Sequence, residues 1–360
     1  MNLAYRLLQL AAAPVAAGRQ RRAAAFRADA VRRIWVHKPD HLGDALLARP
    51  ALATLRAAFP HAEIVFACSP PAAPLFAADA AGVSPFAWDS PFLGGHDKLP
   101  AYCRAARRRR PDLVVNLRHD VRDIALCATL GARWLVTYDH RGAGKLAAFA
   151  GAPPRHDRAE ADNHVALLTE TLGLAPVAPG RLAPPADALP AARAWDELPG
   201  DGPRVALHAA ARTPAKVWPV AHWRRLIAML ADARVRRLAL LGAAADRAFV
   251  SQIAEGAPVV DWSGRFSVGE TAAVVGAADA FVGVDSGPGH LARALGVPVI
   301  SLMSGTNETP RWAPDPARAL LHPVSCAPCH LTRCPVAGHP CLREIAPERA
   351  FAAALEVCGR

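Results

Sequence analysis

The segment Asp285-Ser286-Gly287-Pro288-Gly289-His290 combines residue types suited to holding an anion. It follows an apolar run at 281–284 and precedes Leu291-Ala292-Arg293-Ala294-Leu295, whose spacing is helical. A strand, a small-residue turn and a helix in that order leave the first N–H groups of the helix unpaired and pointing outward. With the macrodipole they make a seat for a phosphate. Gly287 and Gly289 let an anion approach the backbone closely. Ser286 and His290 add side-chain donors. The same residues also fit an ordinary turn in which Ser286 or Asp285 caps the helix. A second cluster is Cys326-x2-Cys329-x4-Cys334-x6-Cys341, half of the eight cysteines. Its spacing suits a structural zinc, with His330 or His339 in reserve. It also suits two disulfides in an oxidising compartment, or reduced structural thiols. Cys68, Cys103, Cys127 and Cys358 are scattered and read as packing residues.

The elements around these residues read as α/β with largely parallel sheets, because short apolar runs alternate with helical patterns. Strands are expected at 34–36, 64–67, 113–117 and 135–137, with helical stripes at 52–59 and 163–172. A second series of strands is expected at 205–207, 238–241, 259–260, 281–284 and 298–302, with a helix at 220–230. Between the two series lies a stretch rich in Pro, Ala and Gly, read as a linker at 176–203. Two doubly wound domains joined in this way would bind ligands outside the carboxyl ends of their strands, in a cleft.

The chain has 360 residues, enough for two domains, and a formal net charge of +11, which favours an anionic partner. Aromatic residues make up only 6% of it and do not interleave with basic ones, which argues against a single-strand nucleic-acid binder. No run reaches the ~20 apolar residues of a membrane-spanning helix. Residues 1–30 carry an apolar stretch (Leu7, Leu8, Leu10, Val15) followed by Arg19, Arg21 and Arg22, the reverse of a signal peptide's order. They read as a basic extension able to lie on an anionic membrane surface, or as a frayed end.

The run Val284-Asp285-Ser286-Gly287-Pro288-Gly289-His290-Leu291-Ala292, with Gly305-Thr306 and Arg311-Trp312 after it, resembles the signature of the family 9 glycosyltransferases. These are the heptosyltransferases of bacterial lipopolysaccharide core assembly. His41-Leu42-Gly43-Asp44, with Pro50-Ala51-Leu52, resembles the same family's opening motif. The resemblance implies a GT-B fold, two Rossmann-like domains facing across a cleft, and inverting transfer of a heptose from an ADP-activated donor without a metal. It assigns the acceptor domain to 31–175 and the donor domain to 204–325. It takes 326–360 as a cysteine-containing segment whose last helix returns to the first domain.

Residue by residue, the resemblance makes Asp44 the catalytic base, and the chemistry agrees. An inverting transfer needs a group to take the acceptor's proton, and a desolvated carboxylate serves when its pKa rises toward the working pH. The alternative role for Asp44 is a helix cap. Lys216, in a Lys-x-Trp-Pro run, would neutralise the donor phosphates together with Ser286, Gly287, Pro288, Gly289 and His290. Ala210 and Ala211 stand where the heptosyltransferases carry adjacent hydroxyl residues, a departure that bears on the donor. Asp246 would meet the ribose hydroxyls, with Phe266 and Asp285 on the nucleoside. Arg118, His119 and Arg122, at the carboxyl end of a strand, would meet anionic groups of an inner-core acceptor.

The implied partners are a nucleotide sugar and an anionic glycolipid, with no nucleic acid. The implied location is the cytoplasm, with a peripheral contact on the inner-membrane surface. No cofactor is implied for catalysis. Two rivals are a GT-B sugar-nucleotide epimerase, which would turn over donor without acceptor, and a nucleic-acid- or metal-binding protein, which would lose its fold on chelation or bind duplex with a steep salt slope.

Overall fold

The computed structural model describes residues 26–79 and 81–359. The apolar and first basic residues of the expected extension, up to Ala25, lie outside the described residues. Ala28–Ala30 form a short 3-10 turn. The chain divides into two compact units at Gly180/Arg181.

The first unit is built on a parallel six-stranded sheet in the order β3-β2-β1-β4-β5-β6. Its strands are β1 (Arg33–His37), β2 (Glu63–Cys68), β3 (Ser84–Ala87), β4 (Leu113–Asn116), β5 (Trp134–Tyr138) and β6 (Phe149–Gly151). The second unit repeats the plan in the order β12-β11-β10-β7-β8-β9. Here the strands are β7 (Arg204–His208), β8 (Arg237–Leu241), β9 (Val260–Asp261), β10 (Ala280–Val284), β11 (Val299–Leu302) and β12 (Ala319–Leu320). The central strands read as unbroken apolar runs because helices cover both faces of a parallel sheet. Trp35 pairs with Val65 on one side and Val114 on the other. Leu207 pairs with Val282.

Each sheet reverses its strand order once, between β1 and β4 in the first unit and between β7 and β10 in the second. The loops after those strands must diverge there, and the crevice they leave is where such sheets bind ligands. Both sequence motifs fall on these loops.

Two segments read otherwise from the sequence fall within the second unit. Residues from Arg181 onward are part of the second unit and not a free linker. A 3-10 helix, Ala186–Glu197, buries Trp195 completely and packs on the helix Val268–Gly276. The Trp195 indole Nε1 donates to the Val274 carbonyl at 2.8 Å. The final helix, Pro347–Val357, also belongs to the second unit. Its small apolar face, Ala350 and Ala354, joins the core of Trp218, Trp223, Leu226 and Ile227. Trp218 Nε1 fastens the preceding turn by donating to the Ile345 carbonyl at 3.1 Å.

Candidate active site

In the first unit, β1 ends at His37 and the chain turns through Lys38-Pro39-Asp40-His41 into a short helix, Leu42–Leu46. Asp44 lies in its first turn and makes no N-cap bond there, since the N-cap is His41. Burial pushes the Asp44 carboxyl up to about 7. The Asp40 and Glu160 carboxylates add to the rise, while Lys38 and Arg118 oppose it. Asp40 behaves oppositely. Burial alone would raise it, but the Lys38 and Arg118 cations hold it well below the usual carboxylate range. Two nearby carboxylates with separated proton affinities are the usual mark of an acid–base site.

Arg118, expected to face an acceptor, is engaged within its own chain. Its guanidinium is bonded to Asp40 and, at 2.6 Å, to Asp123. Arg122 chelates Asp120 through Nη2 at 2.6 Å and Nε at 3.0 Å and lies over the Phe92 ring. His119 stacks edge-on to His140, their ring centroids 5.7 Å apart. His119 thus follows β4, Arg122 lies in the first turn of the helix Val121–Ala128, and Arg118 serves the loop.

In the second unit, the crevice is lined from both sides. From the loop after β7 comes Lys216, whose Nζ meets Asp285 Oδ2 at 2.7 Å. Asn307 Nδ2 donates to the same oxygen at 3.0 Å. Ser286 is the N-cap of the helix Gly287–Ala294, yet its hydroxyl turns away from the helix and lies 3.2 Å from His208 Nδ1. The opening N–H groups of the helix are therefore left without a side-chain cap. Burial lowers His208 and His290 alike to about 4, so both imidazoles are neutral at physiological pH. Gly289 also has a packing reason: a Cβ there would come within 3.2 Å of Pro314.

The nucleoside-side candidates are placed differently. Asp246 accepts the Ala243 backbone N–H at 2.8 Å, the capping role of an acid at a helix start. Phe266 is half-buried, edge-on to Trp262 and beneath the Arg265 guanidinium. Sequence reasoning missed His208, Asn307, Lys38, Asp40 and Asp123. The first four flank recognised motifs, which was the available signal.

The cysteine segment packs beside the second-unit loops: the Cys329 N–H donates to the Gly305 carbonyl at 2.9 Å and the Ala215 N–H to the Thr332 carbonyl at 3.1 Å. Cys326, Cys329, Cys334 and Cys341 are free thiols, exposed at Cys326 and buried at Cys341. Among the described residues, no group of three or more His, Cys, Asp or Glu converges to hold a metal ion. No helix among them is long and apolar enough to cross a membrane.

Two Rossmann-like units are the plan of the GT-B glycosyltransferases, with an acid of raised proton affinity in one unit and an uncapped helix start with a lysine in the other. The comparisons agree. Residues 101–338 match the model of glycosyltransferase family 9 (heptosyltransferase). Lipopolysaccharide heptosyltransferase 3 of Escherichia coli strain K12 is 27% identical over 284 residues, covering 76% of this chain and 82% of that protein. A family 9 glycosyltransferase from Veillonella parvula superposes with a TM-score of 0.75 at 21% identity, covering 91% of this chain and 97% of that one. The E. coli ADP-heptose lipopolysaccharide heptosyltransferase II gives 0.69 at 18% identity, with 91% and 98% covered. The chain belongs to glycosyltransferase family 9, the heptosyltransferase family, and is a glycosyltransferase.

Proposed function

We propose that this enzyme transfers a heptose from ADP-heptose to a hydroxyl of a lipopolysaccharide-core acceptor, with inversion and without a metal. The observation that carries the reading is Asp44, a carboxyl with a proton affinity near 7 in the crevice loop of the first unit. It takes the proton of the acceptor hydroxyl as the oxygen attacks the anomeric carbon. The bond from that carbon to the diphosphate breaks, and the nucleoside diphosphate leaves with its extra negative charge. Lys216 and the N–H groups opening the helix Gly287–Ala294 supply the compensating charge that a metal would otherwise provide. Asp285 and Asn307 hold Lys216 in line, and neutral His290 and Ser286 donate hydrogen bonds. Asp246 and Phe266 stay as the nucleoside-side candidates, and His119 and Arg122 as those for an anionic acceptor. Ala210 and Ala211 leave the donor phosphates with fewer hydroxyl partners than the heptosyltransferase pattern provides.

The enzyme works in the cytoplasm, at the inner-membrane surface where a glycolipid acceptor is presented. Nucleic acid is not a partner. The test is transfer from ADP-heptose to a core acceptor by wild type and Asp44→Asn, with and without EDTA, alongside calorimetry with ADP. Transfer should vanish in the variant, ADP affinity should hold, and chelation should change nothing. Wild-type turnover in Asp44→Asn would refute the base, and loss of turnover with EDTA would refute metal independence.

A further inference from the structure

Behind the Asp44 loop runs a buried chain of polar side chains that the transfer mechanism does not itself use. Trp35 Nε1 donates to the Tyr102 hydroxyl at 2.8 Å. That hydroxyl lies 2.5 Å from His37 Nδ1, and His37 Nε2 lies 3.0 Å from Asp123 Oδ1. The directions follow. Asp123 Oδ1 can only accept, so the His37 proton sits on Nε2 and Nδ1 accepts from Tyr102. Burial lowers His37 against the pull of Asp123, which keeps the ring neutral. Asp123 Oδ2 then accepts from Arg118 Nε at 2.6 Å, and Arg118 Nη1 reaches across to Asp40. Asp40 Oδ2 also meets Lys38 Nζ at 3.4 Å, and its Oδ1 accepts the His41 N–H at 3.1 Å. His37 and Asp123 are wholly buried and Lys38 is 3% exposed.

The chain spans the crevice at the strand-order reversal, tying the loop after β4 to the loop after β1. It is anchored in the core at one end and ends at the residue four positions before Asp44. Its ions are balanced, with Asp40 and Asp123 negative and Arg118 and Lys38 positive. The charged groups that face Asp44 are Asp40 and Lys38 from its own loop, Arg118 from the loop after β4, and Glu160 from the helix Glu160–Leu172. Removing one member of the pair changes the net charge beside Asp44 by one, leaving Asp40 with Lys38 or Arg118 with Asp123.

We propose that Asp40 and Arg118 are positioning residues for Asp44, their ion pair holding the loop in place and fixing the net charge that the Asp44 carboxyl faces. The inference rests on Asp44 as the base, and it makes a prediction that a merely structural ion pair does not. Deleting the negative member and deleting the positive member must move the Asp44 titration in opposite directions. One charge several ångströms away in a partly desolvated loop moves a midpoint by roughly one to two pH units.

The experiment uses the full chain labelled with carbon-13 at the aspartate Cγ, the Asp44 signal being assigned by its absence in Asp44→Asn. Wild type, Asp40→Asn, Arg118→Gln and Arg118→Lys are titrated from about pH 4 to pH 9 and followed by NMR. The Asp44 midpoint should fall in Asp40→Asn, rise in Arg118→Gln and return close to wild type in Arg118→Lys. Midpoints that stay put in both charge-removing variants, or move together, overturn the proposal. If Arg118→Gln does not fold, Asp40→Asn decides alone, because an unmoved midpoint there is equally fatal. Failure of the base assignment is read separately, as undiminished transfer by Asp44→Asn.

Discussion

Asp44→Asn should make the first unit more stable, and the gain should depend on pH in a way that follows from the carboxyl's environment. In the unfolded chain Asp44 titrates near 3.8; in the folded protein burial and the Asp40 carboxylate hold it up to about 7. Between those values the folded state keeps a proton that the unfolded state has lost. Stability therefore falls as pH rises, by about 1.4 kcal/mol for each step of one in pH, and the loss is complete above about 7. The span from 3.8 to about 7 sets a ceiling of about 4 kcal/mol. Solvent contact at the half-buried side chain brings the expected figure to about 2–4 kcal/mol. Asparagine keeps the shape and never ionises. The variant should match wild type near pH 4, gain steadily through pH 5 and 6, and level off above about pH 7. Native-state amide exchange of the β1 peptide reads this in the first unit alone. A difference between variant and wild type that stays constant from about pH 4 to 8 would refute the claim that Asp44 is destabilised when charged.

Turnover should rise about tenfold per pH unit below about 7, as Asp44 loses its proton, while affinity for a nucleotide sugar stays flat, because His208 and His290 are already neutral. A donor affinity that tracks turnover across this range would count against placing the titrating group in the first unit. Lys216→Ala should weaken ADP binding by roughly 10- to 100-fold by calorimetry, the worth of a charge-assisted contact to phosphate. Unchanged affinity would remove Lys216 from the phosphate grip. Trp195→Ala should cost about 3–5 kcal/mol in denaturant unfolding, since it empties a fully buried site and strips the Val274 carbonyl of its donor. A loss below about 1 kcal/mol would restore the linker reading of this segment.

The sequence was legible where one face or one loop carries the signal. The central strands β1, β4, β7 and β10 appear as apolar runs because both faces of a parallel sheet are covered. The short edge strands β3, β6 and β12 do not. Ser84–Ala87 is half-exposed and contains Pro85, which only an edge tolerates, and Ala319–Leu320 has two residues in which to show a pattern. Composition misled at 176–203, where Pro, Ala and Gly outvote the one residue that matters, Trp195. Asp44 and the 285–290 turn were readable because each motif sits whole within one loop at a reversal of strand order. The Arg118–Asp40 pair was not, because its members are 78 positions apart and only the strand order β1-β4 brings them together.

That difference explains why the sequence alone reads Arg118 as an acceptor contact. An arginine at the carboxyl end of a strand offers a cation to whatever occupies the crevice, and local sequence cannot say whether that is a ligand or another loop. In the second unit the equivalent position is filled by Asp285, which pairs with Lys216 across the same reversal of strand order. The two crevices thus share one device, an ion pair joining the loops after the two diverging strands, with opposite consequences. In the first unit the pair brings a second carboxylate close to Asp44, where Asp40 adds to the rise that burial produces and Arg118 opposes it. In the second, Asp285 holds a lysine beside an uncapped helix start. The same reversal of strand order thus sets an acid of raised proton affinity beside one ion pair and a lysine at a helix start within the other.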